Sequence, residues 1–179
     1  MEKLTLNEEL TKNGIFLLTS SIDNSVKDIV LELLNFKANS PTQEIKLYIS
    51  AYAPRNYFNV FALFDVLTSM DNPISTYAIG AVGDLAILLL ALGNKGKRYI
   101  LKNTKLFFSE VINISGSGEQ QTEIDIAVKE TSRAREIFEE GLAKYTGKDI
   151  KTIHQDLVDA KELTAKEAIE YGLVDEVIE

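Results

Sequence analysis

Apolar residues recur along the chain in two alternating patterns. Short continuous runs at residues 14–20, 44–50 and 74–79 are typical of buried strands. Each run is followed by a segment in which apolar residues return at helical spacing, so the pattern predicts strands that alternate with helices. Such alternation favours crossover connections, a largely parallel core sheet and therefore an α/β fold. The predicted helices are 26–34, capped by Asp23 or Ser25, then 58–70 and 84–92, and further strands are predicted at 97–101 and 105–109.

The second half of the chain is dominated by one long helix, predicted at residues 119–145 and closed by Gly147. Its length exceeds that of a usual globular helix, and such a helix often extends beyond its domain to meet another subunit. Two short helices are predicted at 149–157 and 164–171, the second with a Thr164 capping box, before a short C-terminal strand. The apolar stripe of the long helix consists of Ile124, Ala127, Val128, Ile137, Phe138, Leu142 and Tyr145.

Composition and charge exclude several classes of function. The net charge of −8 predicts repulsion from nucleic acid and from anionic membrane surfaces. The chain has no cysteine and one histidine, which excludes thiolate and histidine-rich metal sites. The glycine–lysine run at 93–97 lacks the spacing of a phosphate-binding loop. The sequence therefore predicts no metal and no cofactor.

One apolar stretch, residues 74–93, is long enough to span a bilayer. Asp84 lies near its middle, where a carboxylate is costly in lipid, and a buried strand, a turn and a buried helix explain the stretch better. The N-terminal residues are charged and polar and lack the apolar core of a signal peptide. We therefore expect a cytoplasmic protein.

Residues 80–106 closely resemble the segment that carries the nucleophile in Clp protease proteolytic subunits. In that family I-G-x-A-A-S-x-G-A is followed by A-x-G-x-K-G-K-R and a further strand, and here Ile79-Gly80 and residues 93–98 match. Residues 121–130 resemble the start of the family's long handle helix, and residues 165–175 resemble its C-terminal run. The similarity extends from about Leu10 to the C-terminus, in the same order and with nearly the same spacing.

The resemblance implies a ClpP/crotonase-like fold with repeated β-β-α and βα units and a protruding handle helix. It implies a single domain over residues 1–179, with a head at about 1–110 and 148–179 and a handle at about 111–147.

Active members of the family use a Ser-His-Asp triad, and the resemblance places other residues at two of its positions. Asp84 falls where the nucleophilic serine would be, Ser109 where the histidine would be, and Asp156 where the aspartate would be. The family's oxyanion segment, Y-I-N-S-P-G-G-S, is also changed. Here Tyr52, Ala53, Pro54 and Arg55 occupy it, without the paired glycines that turn backbone N–H groups toward an oxyanion, and Pro54 has no N–H to donate.

Each of these residues also has a simpler structural interpretation. Asp84 suits the first turn of a helix, where the helix dipole favours a carboxylate. Ser109 suits a strand, and His154 suits a partly exposed surface position that faces away from Asp156. The aromatic residues near the oxyanion segment suit the core or an interface better than a base-stacking surface in so acidic a chain. They are Tyr52, Tyr57, Phe58 and Phe61.

These features together predict a catalytically inactive proteolytic-subunit homologue, similar to the inactive ClpR type. The resemblance implies a heptamer or tetradecamer, or a mixed ring with an active Clp subunit, and an AAA+ ATPase as a possible partner. Two other hypotheses stay open. One is a divergent serine-type endopeptidase or other hydrolase, and the other is a crotonase-like acyl-CoA-binding protein.

Overall fold

The computed structural model describes residues 5–19, 22–51, 57–111 and 121–179. Seven helices and eight strands lie in this part of the chain. The helices are α1 (Leu6–Lys12), α2 (Ile22–Asn39), α3 (Tyr57–Thr68), α4 (Ala86–Ala91), α5 (Gln121–Thr146), α6 (Ile150–Val158) and α7 (Ala165–Tyr171). The strands are β1 (Ile15–Thr19), β2 (Ile45–Ser50), β3 (Ile74–Ala78), β4 (Ala81–Gly83), β5 (Arg98–Leu101), β6 (Lys105–Phe107), β7 (Glu162–Thr164) and β8 (Glu176–Ile178).

The strands form two sheets. Five of them form a sheet in the order β1-β2-β3-β5-β8, and every pair in it is parallel. The other three form a small sheet in the order β4-β6-β7, in which β4 is parallel and β7 antiparallel to β6. The predicted α/β fold and the largely parallel core sheet are therefore confirmed.

The core lies against one face of the large sheet. Burial along β2 alternates, with Ile45, Leu47 and Ile49 inaccessible to solvent, and every residue of α4 is buried. The apolar stretch predicted to be strand, turn and helix forms β3, β4 and α4. No helix in the described part of the chain is long and apolar enough to cross a membrane.

The opposite face of the large sheet carries a row of tyrosines. The Tyr77 ring stacks between those of Tyr48 and Tyr99, with centroid distances of 4.4 and 4.9 Å. All three side chains are only half-buried. Parallel sheets are usually covered on both faces, and the described residues leave these three rings partly exposed.

Several boundaries differ from the predicted ones. The helix α1, which a Thr5–Glu8 capping box begins, and the three-residue strands β4 and β7 were not predicted. Helix α2 begins at Ile22, before both residues predicted as its cap, so that prediction was wrong. The Thr164–Glu167 capping box of α7 is confirmed.

An Arg98–Asp175 ion pair joins β5 to the loop before β8. The Arg98 side chain is almost fully buried, and its Nε and Nη2 lie 2.9 and 2.6 Å from the two carboxylate oxygens of Asp175. Its Nη1 donates to the carbonyl oxygens of Gly172, at 2.8 Å, and Tyr145, at 3.3 Å. Hydrogen bonds from Arg98 hold the pKa of Asp175 below its ordinary value. This one guanidinium therefore ties together the large sheet, the end of α5 and the end of α7.

We predict that Asp175→Ala destabilises the protein by about 3–5 kcal/mol, because it leaves a buried guanidinium unpaired. Urea unfolding measures the loss. The matched control is Glu179→Ala, which removes an exposed pair with Lys102 and should cost under about 1 kcal/mol. Equal losses in the two variants would contradict this role for Arg98.

Candidate active site

Asp84 lies in the tight turn between β4 and α4. Its φ of 52° is left-handed, a conformation that aspartate and asparagine tolerate better than most residues. Its backbone amide donates to the Phe107 carbonyl across the small sheet at 2.9 Å, and its own carbonyl accepts from the Ile87 amide at 3.2 Å. Asp84 was expected in the first turn of the helix. It instead precedes Leu85, the N-cap of α4.

The structure brings Asp84 and Ser109 together. The Ser109 hydroxyl donates a hydrogen bond to Oδ1 of Asp84. Burial raises the pKa of Asp84, and the bond from Ser109 offsets part of that effect by lowering it. Two positions that the resemblance placed in a triad are therefore in contact, but they carry a carboxylate and a hydroxyl.

The structure does not join Asp156 to this pair. Its Oδ1 accepts from Nζ of Lys161 and its Oδ2 from the hydroxyl of Tyr171, both at 2.7 Å. The Tyr171 ring packs on Phe108 with a centroid distance of 5.2 Å. Burial, and then the bond to Asp156, raise the pKa of Tyr171. Both carboxylate oxygens of Asp156 are thus engaged in a separate, partly buried network.

The single histidine also lies elsewhere. Nδ1 of His154 is 2.7 Å from Oε1 of Glu139, which links α6 to α5. The imidazole is 43% exposed, as expected for a surface position. Its partner differs from both partners of Asp156, so these two residues of α6 make separate contacts. No histidine is therefore bonded to Ser109 or Asp84.

The predicted oxyanion segment, Tyr52, Ala53, Pro54 and Arg55, lies outside the described residues. Nearby, the Gly83 amide is engaged, because it donates to the Ala51 carbonyl at 3.0 Å.

Three residues near the site were missed by the sequence analysis. Lys161 and Tyr171 donate hydrogen bonds to Asp156. Neither a lysine five positions after an aspartate nor a tyrosine in a later helix indicates, from the sequence alone, that the side chains are in contact. Ala160 has a φ of 47°; it and Asp84 are the only non-glycine residues with positive φ in the described part of the chain. Such left-handed residues often lie at functional sites.

The arrangement offers little for peptide hydrolysis. A carboxylate is a poor base for a serine hydroxyl, and a negative charge at Asp84 would oppose a nearby oxyanion. The described residues contain no group of three or more histidines, aspartates or glutamates placed to hold a metal ion. The Asp84–Ser109 pair therefore has a nucleophile candidate but lacks an imidazole base.

We predict that Asp84→Asn raises the melting temperature at about pH 7.5 and leaves it nearly unchanged at about pH 3.5. Burial raises the folded-state pKa of Asp84, so the folded protein binds its proton more tightly than the unfolded chain does. The free energy of unfolding therefore falls as the pH rises through that pKa. Asparagine stays neutral at every pH, so the substitution removes this loss of stability. Thermal unfolding at both pH values measures the effect.

The control for this variant is Asp71→Asn, which removes the same charge at an exposed position. An equal gain at neutral pH in both variants would assign the effect to net charge and contradict the role of burial.

Comparison with known proteins agrees with the resemblance noted in the sequence. The model of the Clp protease family matches residues 2–179. The ATP-dependent Clp protease proteolytic subunit 1 of Bifidobacterium longum is 37% identical over 166 residues, which cover 92% of this chain and 70% of that protein. The proteolytic subunit 2 of Streptomyces avermitilis is 33% identical, with 94% of this chain and 84% of that protein covered. The proteolytic subunit of Streptococcus sanguinis is 30% identical, with 95% and 87% covered.

These matches span nearly the whole chain, and the α/β architecture with its parallel sheet is consistent with the same fold. The chain therefore belongs to the Clp protease family.

Proposed function

We propose that this protein is a catalytically inactive proteolytic-subunit homologue that acts as a structural or regulatory ring subunit of an ATP-dependent protein-degradation complex. The observation that carries the proposal is the hydrogen bond between Asp84 and Ser109. The resemblance assigns these residues to the positions at which active members of the family carry the serine nucleophile and the histidine base. The only histidine of the chain is paired with Glu139 on other elements.

The absence of a general base is the strongest reason to expect no hydrolysis. Hydrolysis by a serine needs a group that removes the hydroxyl proton and later delivers it to the leaving amine. Asp84 can accept a hydrogen bond from Ser109, but a carboxylic acid is too strong an acid to hold the proton of an alcohol. The two side chains are thus hydrogen-bonded, but they cannot carry out the proton transfers that hydrolysis requires.

The long helix α5 supports a role in assembly. Its C-terminal half buries Ala134, Phe138 and Leu142 against the rest of the domain. Toward its N-terminal end, Ile126 and Val128 are 61% and 59% exposed. In the proposed division into a head and a handle, these residues belong to the handle and contact the same helix of a second copy in the opposite ring.

The tyrosine row of Tyr48, Tyr77 and Tyr99 supports a second contact on the head. Its stacked, half-exposed rings combine apolar area with hydroxyl groups, a composition that is enriched at protein interfaces. In the proposed complex this face meets a neighbouring subunit or an AAA+ ATPase. The partners in the ring are further copies of the chain, as a heptamer or tetradecamer, or active Clp subunits.

One observation favours an alternative. The bond from Ser109 to a carboxylate whose pKa is raised by burial is an arrangement that a divergent hydrolase could use. In that alternative, Ser109 is the nucleophile and Asp84 activates it. The next experiment separates the two functions.

We predict that the purified protein neither cleaves casein nor reacts with a fluorophosphonate probe, because no serine in the described part of the chain is hydrogen-bonded to a histidine. Gel fluorescence and intact-mass measurement detect labelling, with an active serine peptidase as the positive control. Labelling at one serine that Ser109→Ala abolishes would establish the divergent hydrolase and overturn the proposal.

We predict that the double variant Ile126→Ser, Val128→Ser shifts the assembly toward single rings or smaller species, because it removes exposed apolar area from the α5 interface. Multi-angle light scattering measures the mass. The control is Ile150→Ser, an exposed isoleucine on α6 that should leave the mass unchanged. A stable monomer of the natural chain at micromolar concentration would contradict the proposed ring.

A further inference from the structure

The register of the small sheet decides which residue lies across from Ser109. Strands β6 and β7 are antiparallel, with Lys105 opposite Thr164 and Phe107 opposite Glu162. The pairing continues one step beyond the strands, because the Phe108 amide donates to the Lys161 carbonyl at 2.9 Å. Extended by one further residue, beyond this last backbone hydrogen bond of the ladder, the register would place Ala160 opposite Ser109.

Asp156 lies on the other side of this ladder. Residues opposite each other on antiparallel strands point to the same face, and successive residues alternate between faces. Phe108 and Lys161 share one face, since the Tyr171 ring packs on Phe108 and lies 5.4 Å from Nζ of Lys161. The carboxylate of Asp156 accepts from Lys161 and Tyr171 and is therefore on that face too. Ser109, one residue further along, is directed to the opposite face, toward Asp84.

The backbone at position 160 gives an independent indication. Ala160 has a φ of 47°, in the left-handed region where aspartate and asparagine are several-fold enriched over other residues with a Cβ. Alanine has no side chain that compensates for this conformation by a local hydrogen bond. The turn thus has a shape that suits a short polar side chain at a position where this sequence carries a methyl group.

We propose that Ala160, and not Asp156, occupies the third position of the site, across from residue 109, so that all three triad positions have lost their catalytic side chains. The inference rests on the proposed assignment of Asp84 and Ser109 to the first two positions. Asp156 is a structural residue that anchors Tyr171 and Lys161. A carboxylate restored at position 160 would orient and charge-stabilise an imidazole at position 109.

A titration tests this assignment without any need for catalytic activity. The background variant is Asp84→Ser, Ser109→His, which introduces an imidazole and removes the nearby carboxylate at position 84. Histidine labelled with carbon-13 at Cε1 gives one signal for each imidazole in the NMR spectrum. The natural chain contains only His154, so its spectrum assigns that signal. The measured quantity is the pKa of the imidazole at position 109.

We expect Ala160→Asp to raise this pKa by about 1 or more, because an opposite charge within about 4–6 Å favours the imidazolium. The matched control, Ala160→Asn, has the same shape and the same tolerance of positive φ but no charge, and should leave the pKa unchanged. Asp156→Asn should also leave it unchanged. Equal pKa values in the Asp and Asn variants at position 160 would overturn the assignment, as would a clear fall in Asp156→Asn.

The result is independent of the proposed function. If the natural chain proves to be an active hydrolase through Ser109, the titration still decides between positions 156 and 160. If Asp156→Asn does not fold, the comparison of the two variants at position 160 remains sufficient.

Discussion

The register of the small sheet is the constraint on which the candidate site depends. Strand β4 is parallel to β6, and the Asp84 amide donates to the Phe107 carbonyl, so the turn before α4 is held beside the end of β6. Strand β7 lies against the other edge of β6, and the Phe108 amide extends this pairing to the Lys161 carbonyl. A shift of one residue along β6 would direct Ser109 away from Asp84. Backbone pairing with β6 therefore positions two segments that are far apart in the sequence, the turn at Asp84 and strand β7.

Since the backbone supplies this geometry, the fold does not depend on which side chains occupy positions 84 and 109. The large sheet is held by its buried core and by the Arg98 cluster, neither of which involves Asp84 or Ser109. Fold and catalysis are separable in this sense for many families. The surfaces proposed for assembly, the exposed apolar end of α5 and the tyrosine row, likewise include neither Asp84 nor Ser109. A subunit that builds a ring without cleaving peptides is consistent with this separation.

The sequence predicted most of the fold, because long apolar runs and helical repeats report burial directly. It missed β4 and β7, since three residues are too few to show a period. The resemblance assigned Asp84 and Ser109 to neighbouring positions of a triad, and in the structure the two side chains are hydrogen-bonded. The contacts of Asp156 could not be predicted from the sequence. Its bonds to Lys161 and Tyr171 depend on the face of the sheet toward which each side chain points. The positive φ of Ala160 could not be predicted either, because alanine has no preference for that conformation.

The most direct test of the central claim compares the rate of hydrolysis of a fluorogenic peptide by three proteins: the natural chain, Asp84→Ala and Ser109→Ala. An inactive subunit predicts that all three rates equal the rate without protein, across pH values from about 5 to 9. A rate above that background in the natural chain, abolished by either substitution, would show that the Asp84–Ser109 pair is catalytic and would contradict the account.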